Sequence, residues 1–221
     1  MARGVILFDI DGTLVDSTYH HAVAWFRAFR AHDLTVPVFK IHRSIGMGGD
    51  RLVAHVAGDD VEERLGDQLR DGWEQEYTEL VDEVPALAGA AELVNELADA
   101  GYEIGFASSG KSHFSDKAVD VLGVRERIDA LTSSDDAEES KPAADILAAT
   151  LERLESDRAV LIGDTPYDVQ SAKRIGLRCV GVLTGGFSRQ ELEEAGATHV
   201  VAGLTELHDF DWEQVLAEAQ G

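Results

Sequence analysis

Six short runs rich in β-formers recur along the chain: "VILF" (5–8), "EIGFAS" (103–108), "IDALTS" (128–133), "AVLIG" (159–163), "CVGVL" (179–183) and "HVVA" (199–202). They are nearly continuous in apolar residues and lack the polar alternation of a strand with one wet face, so each reads as a strand covered on both sides. Stretches with helical spacing lie between them, among them residues 90–101, 143–155, 168–176 and 188–196. Buried strands alternating with helices predict a doubly wound parallel α/β sheet. A length of 221 residues with 44% apolar content supplies the core that such a sheet needs.

One interval breaks the alternation. From Ser17 to about Pro85 there is no strand pattern, only amphipathic stretches such as "HHAVAWFRAFRAH", in which Trp25, Phe26 and Phe29 fall at helical spacing. Pro85 and Gly89 mark the return to the alternating pattern. The expected organisation is an α/β core from residues 1–16 and 86–221, with an inserted α-helical cap subdomain, 17–85, that roofs the sheet.

In an open parallel sheet, ligands bind beyond the carboxyl ends of the strands. Asp9 and Asp11 follow the first run, Ser108 and Ser109 close the second, Lys141 opens the helix after the third, and Asp164 and Asp168 follow the fourth. Several carboxylates meeting at one edge repel one another unless a cation intervenes, and all-oxygen ligation favours a hard ion such as Mg2+. Such an ion suits a phosphorylated substrate, whose phosphoryl group a carboxylate can attack while a second carboxylic acid protonates the leaving oxygen. Asp168 also fits a plainer role at the start of the following helix. Within the insert, "HRSIGMGGDRL" offers Arg43 and backbone donors to a substrate, or forms a loop between helices. Lys111, just after "SSG", is either a phosphate contact or a solvated side chain.

Charge narrows the partners. Nineteen Lys and Arg against 42 Asp and Glu give a formal net charge of -23, which repels nucleic acid and anionic membrane surfaces. No segment approaches the unbroken apolar length of a membrane span, and the first apolar run is too short for a signal peptide. The single cysteine, Cys179, excludes an internal disulfide and fits a reducing compartment, so a cytoplasmic protein is expected. Oligomeric state stays open.

The stretches "DIDGTLVDS", "IGFASSG", "SKPAADIL" and "IGDTPYDVQSAKRIG" together resemble the four motifs of the haloacid dehalogenase (HAD) superfamily, in that superfamily's order. The closing segments resemble its phosphoglycolate phosphatase-like members, and a helical cap after the first motif is similar to that branch and to its β-phosphoglucomutase-like relatives. The resemblance implies a Rossmannoid core and a Mg2+-dependent phosphatase of a small phosphorylated metabolite. Asp9 would be the nucleophile, Asp11 the general acid and base, Ser108 a donor to the phosphoryl oxygens, and Lys141 the cation that offsets their charge. Asp9, Asp164 and the backbone carbonyl of Asp11 would hold Mg2+, with Asp168 a water-mediated ligand or a partner orienting Lys141. His21 matches a histidine of the sugar phosphomutases, and Arg43 a second such position. A phosphomutase of that type is therefore the alternative enzyme, and a non-catalytic binding protein on the same fold the alternative of another class.

Overall fold

The computed structural model describes residues 3–136, 145–154 and 158–217. Its chain order is β1 (Val5–Phe8), α1 (Thr18–Ala31), α2 (Val38–His42), α3 (Gly49–Ala57), α4 (Asp59–Leu80), α5 (Ala90–Asp99), β2 (Glu103–Ala107) and α6 (Ser112–Leu122). It continues with β3 (Ala130–Thr132), α7 (Asp145–Leu151), β4 (Ala159–Gly163), α8 (Pro166–Arg174), β5 (Arg178–Val182), α9 (Arg189–Ala195), β6 (His199–Val201) and α10 (Trp212–Ala217).

The six strands form one parallel sheet in the order β3-β2-β1-β4-β5-β6. Every one of the six apolar runs supplies a strand. Alternate side chains serve opposite faces, as the pleat requires. Ile6 and Phe8 of β1 join Ile104, Phe106, Val160 and Ile162 under α5, α6 and α10. Val5 and Leu7 join Leu161 and Cys179 under α7, α8 and α9. Helices on both faces explain why the strands are apolar throughout. Phe8 meets Phe106 edge-on, with ring centroids 5.8 Å apart.

The strand order reverses direction at β1, between β2 on one side and β4 on the other, and a crevice opens at such a reversal. Phe8 pairs with Phe106 of β2 and Ile162 of β4, so the residues that follow these three strands emerge at one level.

Residues 18–80 hold four helices and no strand. They gather a separate apolar cluster, in which Trp25, Phe29 and Ile41 meet Leu69, Trp73 and Tyr77, and to which α6 contributes Phe114. Gly72 lets α4 approach α1 closely, since a Cβ there would stand 3.4 Å from that of Ala28. Four helices, α2, α3, α6 and α10, were not singled out from the sequence; α3 begins at Gly49, inside the stretch 42–52 weighed as a loop, and α2 and α10 are too short, at five and six residues, to show a helical period. The helix expected from residue 168 begins two residues earlier, at Pro166, because Thr165 caps it. Among the described residues no helix is long and apolar enough to cross a membrane.

Candidate active site at the carboxyl edge of the sheet

At the end of β1 the chain leaves the sheet through Asp9, whose N–H still donates to Ile162 O at 2.9 Å. The next turn contains Gly12 at φ +83°, a left-handed conformation that side chains other than glycine resist. Asp9, Asp164 and Asp168 are all buried, and each brings a carboxylate oxygen within 4.8 Å of the others. Neighbouring residues hold Asp164 and Asp168 in place. Thr13 Oγ1 donates to Asp164 Oδ1 at 2.9 Å. Asp168 Oδ2 accepts from the N–H of Thr165 at 3.1 Å and from its Oγ1 at 2.6 Å, closing a capping box at the start of α8. The capping role weighed for Asp168 is therefore real, though at the third position of the helix, and the same side chain also faces the other two carboxylates.

Three buried carboxylates at this separation oppose one another strongly unless a cation offsets them. The donor set is all oxygen and fits a hard divalent ion of the Mg2+ kind. The surrounding backbone leaves Asp164 little freedom. A Cβ on Gly185 would lie 1.8 Å from Asp164 Oδ2, and one on Gly12 would lie 2.4 Å from the same atom and 2.5 Å from Thr18 Oγ1. Gly12→Ala is accordingly expected to lower stability by about 2 kcal/mol, a fall of roughly 4–8 °C in Tm, and to weaken Mg2+ binding by displacing Asp164. Thermal melts with and without Mg2+ check both effects.

Asp11 points elsewhere. Its carboxylate accepts from Ser17 Oγ at 2.7 Å, from His21 Nε2 at 2.9 Å and from Ser108 Oγ at 3.3 Å. It is not a member of the close carboxylate trio. The His21 ring stacks on Tyr77 at 3.9 Å between centroids and 17° between planes. Burial, with the Asp11 charge adding to it, pushes the Tyr77 hydroxyl well above the usual phenol range, so Tyr77 stays a neutral support for His21. One intervening residue thus sends two aspartates into different surroundings.

A cavity of about 260 Å³ opens over these carboxylates. Asp9, Asp11, His21, Ser109 and Lys111 line it, facing Trp25 and Trp73 of the helical insert. Ser108 is buried just behind Asp11, its Oγ accepting from Gly110 N at 3.0 Å. Lys111 reaches the cavity with its ammonium already paired to Glu74. Arg43 does not line it. Its guanidinium lies 4.0 Å from the centroid of the Phe187 ring and pairs with Glu191, while Tyr167 donates to its carbonyl at 2.8 Å. Lys141 lies outside the described residues. Reading the sequence alone missed Ser17, Trp73 and Tyr77 and treated Trp25 only as packing. An aromatic at helical spacing signals a buried face, and nothing in that spacing distinguishes a core wall from a cavity wall.

A profile of the family described as haloacid dehalogenase-like hydrolase matches residues 6–182. The chain is 30% identical over 188 residues to a validoxylamine A 7'-phosphate phosphatase of Streptomyces hygroscopicus subsp. limoneus, covering 81% of this chain and 85% of that one. It is 29% identical over 189 residues to a phosphoglycolate phosphatase of Aquifex aeolicus, covering 82% and 85%. Among solved structures, a hydrolase from Pseudomonas syringae superposes with a TM-score of 0.87 at 29% identity, covering 92% of this chain and 95% of that chain.

Proposed function

The chain belongs to the haloacid dehalogenase-like hydrolases and is a phosphatase of a phosphorylated small molecule, and from that premise we propose that it works through an aspartyl-phosphate on Asp9 with Mg2+ as its ion. The observation that carries this reading is the split between Asp9, which shares its surroundings with two carboxylates, and Asp11, which faces Ser17, His21 and Ser108. A nucleophile needs its charge offset and its orientation fixed; a proton carrier needs hydrogen-bonding neighbours that do not lock it to a metal.

In the first step an Asp9 oxygen bonds to phosphorus as the ester oxygen departs with the bonding pair, and the carboxylic acid form of Asp11 gives that oxygen its proton. In the second, Asp11 takes a proton from water, the water oxygen bonds to phosphorus, and Asp9 leaves as a carboxylate with inorganic phosphate released. Ser108 Oγ donates to a phosphoryl oxygen, and Lys141 offsets charge between nucleophile and phosphate. Asp9, Asp164, Asp168 and the backbone carbonyl of Asp11 would hold Mg2+, directly or through water. The ion supplies positive charge to the phosphoryl oxygens when bound. Residues 17–85 act as the cap over a core of 1–16 and 86–221, shielding the reacting atoms from bulk solvent while leaving room for the one water that Asp11 activates. A phosphomutase would rely on His21 and Arg43 together, and the engagement of Arg43 with Glu191 and Phe187 favours hydrolysis instead. A cytoplasmic place of action accords with a single cysteine, Cys179, that is buried and forms no disulfide.

The test is release of inorganic phosphate from a broad panel of phosphorylated metabolites. Activity is expected with Mg2+, to fall at least about a hundredfold with excess EDTA, and to return when Mg2+ is restored. Release that EDTA leaves unchanged overturns the metal assignment.

A further inference from the structure

The stretch 42–46 of the helical insert rests on the two segments that carry Asp164 and Asp168. At its front, His42 Nε2 meets Gly185 O at 3.0 Å. A carbonyl oxygen only accepts, so Nε2 carries the proton and donates it. The ring is aimed by stacking on Tyr19, with centroids 4.9 Å apart and planes 22° apart. Gly185 in turn lies so close to Asp164 Oδ2 that no Cβ fits between them. At the back of the stretch, Gly46 packs on Thr165. A Cβ on Gly46 would stand 2.7 Å from Thr165 Cγ2 and 2.8 Å from its Oγ1. That same Oγ1 donates to Asp168 Oδ2 at 2.6 Å. The front of the stretch therefore bears on Asp164 and the back on Asp168.

Arg43 fastens the stretch between these two points. Its guanidinium covers the Phe187 ring and pairs with Glu191, and its carbonyl accepts from Tyr167. Phe187 follows Gly185 by two residues, and Tyr167 stands between Thr165 and Asp168 in the chain, so Arg43 grips the same two segments. Neither His42 nor Arg43 lines the cavity, and neither is placed to touch a substrate there. Without an ion, three buried carboxylates push one another apart. Groups that keep the segments behind Asp164 and Asp168 in place oppose that separation, and outer partners of ligands change metal affinity without touching the metal.

We propose, resting on the Mg2+ reading above, that His42 and Arg43 are positioning residues for the metal site. Seating of residues 42–46 on the core holds Asp164 and Asp168 together, and a bound Mg2+ favours that seating by the same factor, because the coupling is reciprocal.

Calorimetric titration with Mg2+ in the absence of substrate tests this. Arg43→Ala removes the ion pair and the ring contact, and His42→Phe keeps a ring on Tyr19 while removing the donor. Each is expected to raise the Mg2+ dissociation constant by at least about fivefold. Arg43→Lys keeps a cation for Glu191 and Phe187 and is expected to stay within about twofold of the unaltered chain. In phosphate release, kcat of Arg43→Ala and His42→Phe is expected to recover at saturating Mg2+, which a general loss of packing would not allow. Amide hydrogen exchange at residues 43–47 of the unaltered chain is expected to slow by at least about threefold with Mg2+ and to speed up again with EDTA. Unchanged Mg2+ affinity in Arg43→Ala and His42→Phe, an equal loss in Arg43→Lys, or exchange that Mg2+ leaves unaltered overturns the positioning role and leaves the phosphatase reading standing. Failure of the unaltered chain to bind Mg2+ removes the metal reading and this inference with it.

Discussion

Asp9→Asn is expected to cut Mg2+-dependent phosphate release by at least about 10⁴-fold, because removing a covalent nucleophile leaves only binding and electrostatic effects behind. The same substitution separates a chemical role from a structural one. Asp9 is only 6% exposed and shares its space with Asp164 and Asp168. A neutral amide relieves repulsion within that trio, so in the absence of metal the melting temperature should hold or rise. Loss of activity together with a large fall in metal-free Tm would assign Asp9 to the architecture instead. Retained turnover would move the nucleophile elsewhere.

Asp11→Asn tests the proton carrier through the leaving group. An alkyl phosphate releases a strongly basic alkoxide, whereas p-nitrophenyl phosphate releases a phenolate that needs little protonation. For alkyl esters kcat/KM is expected to fall by about 10³-fold, and for the aryl ester by much less, within the range of general acid catalysis. The parameter kcat/KM reports steps through formation of the aspartyl-phosphate, so it isolates the acid role from the later activation of water. Asparagine still accepts from Ser17 and His21, which keeps the comparison one of proton transfer rather than of packing. Equal losses on both esters would remove Asp11 from that role.

The strands were legible because their signal is local. A run such as "VILF" or "AVLIG" needs burial on both faces wherever it sits, and the observed sheet covers Val5 and Leu7 with one layer of helices, Ile6 and Phe8 with the other. The carboxylates were legible as candidates for a related reason. Asp9 and Asp164 each follow directly on such a run, and the register of β1 with β4 brings the two ends together. Asp168 shows the limit of that reasoning. Its spacing from β4 fitted both a helix start and a site residue, and Thr165 and the trio give it contacts of both kinds.

Arg43, in contrast, was picked out as a cation beside a glycine-rich loop. Its partners Phe187 and Glu191 lie some 150 residues away in the chain, just after β5 and in α9, and no local pattern announces them. Trp25 and Trp73 failed to stand out for a similar reason. Both sit on amphipathic helices with a buried face, and only the placement of α1 and α4 against the end of β1 makes part of that face a cavity wall.

The sequence by itself determined the strands, their parallel arrangement and the acidic residues at their ends, since short-range apolarity and the position of a residue just beyond it are written along the chain. The tertiary structure decided which carboxylates share a site, that Asp11 turns to His21 and Ser17, and that Arg43 leaves the cavity while two indoles enter it. Those outcomes depend on side chains from remote elements competing for the same few ångströms, and that competition exists only once the helices have packed.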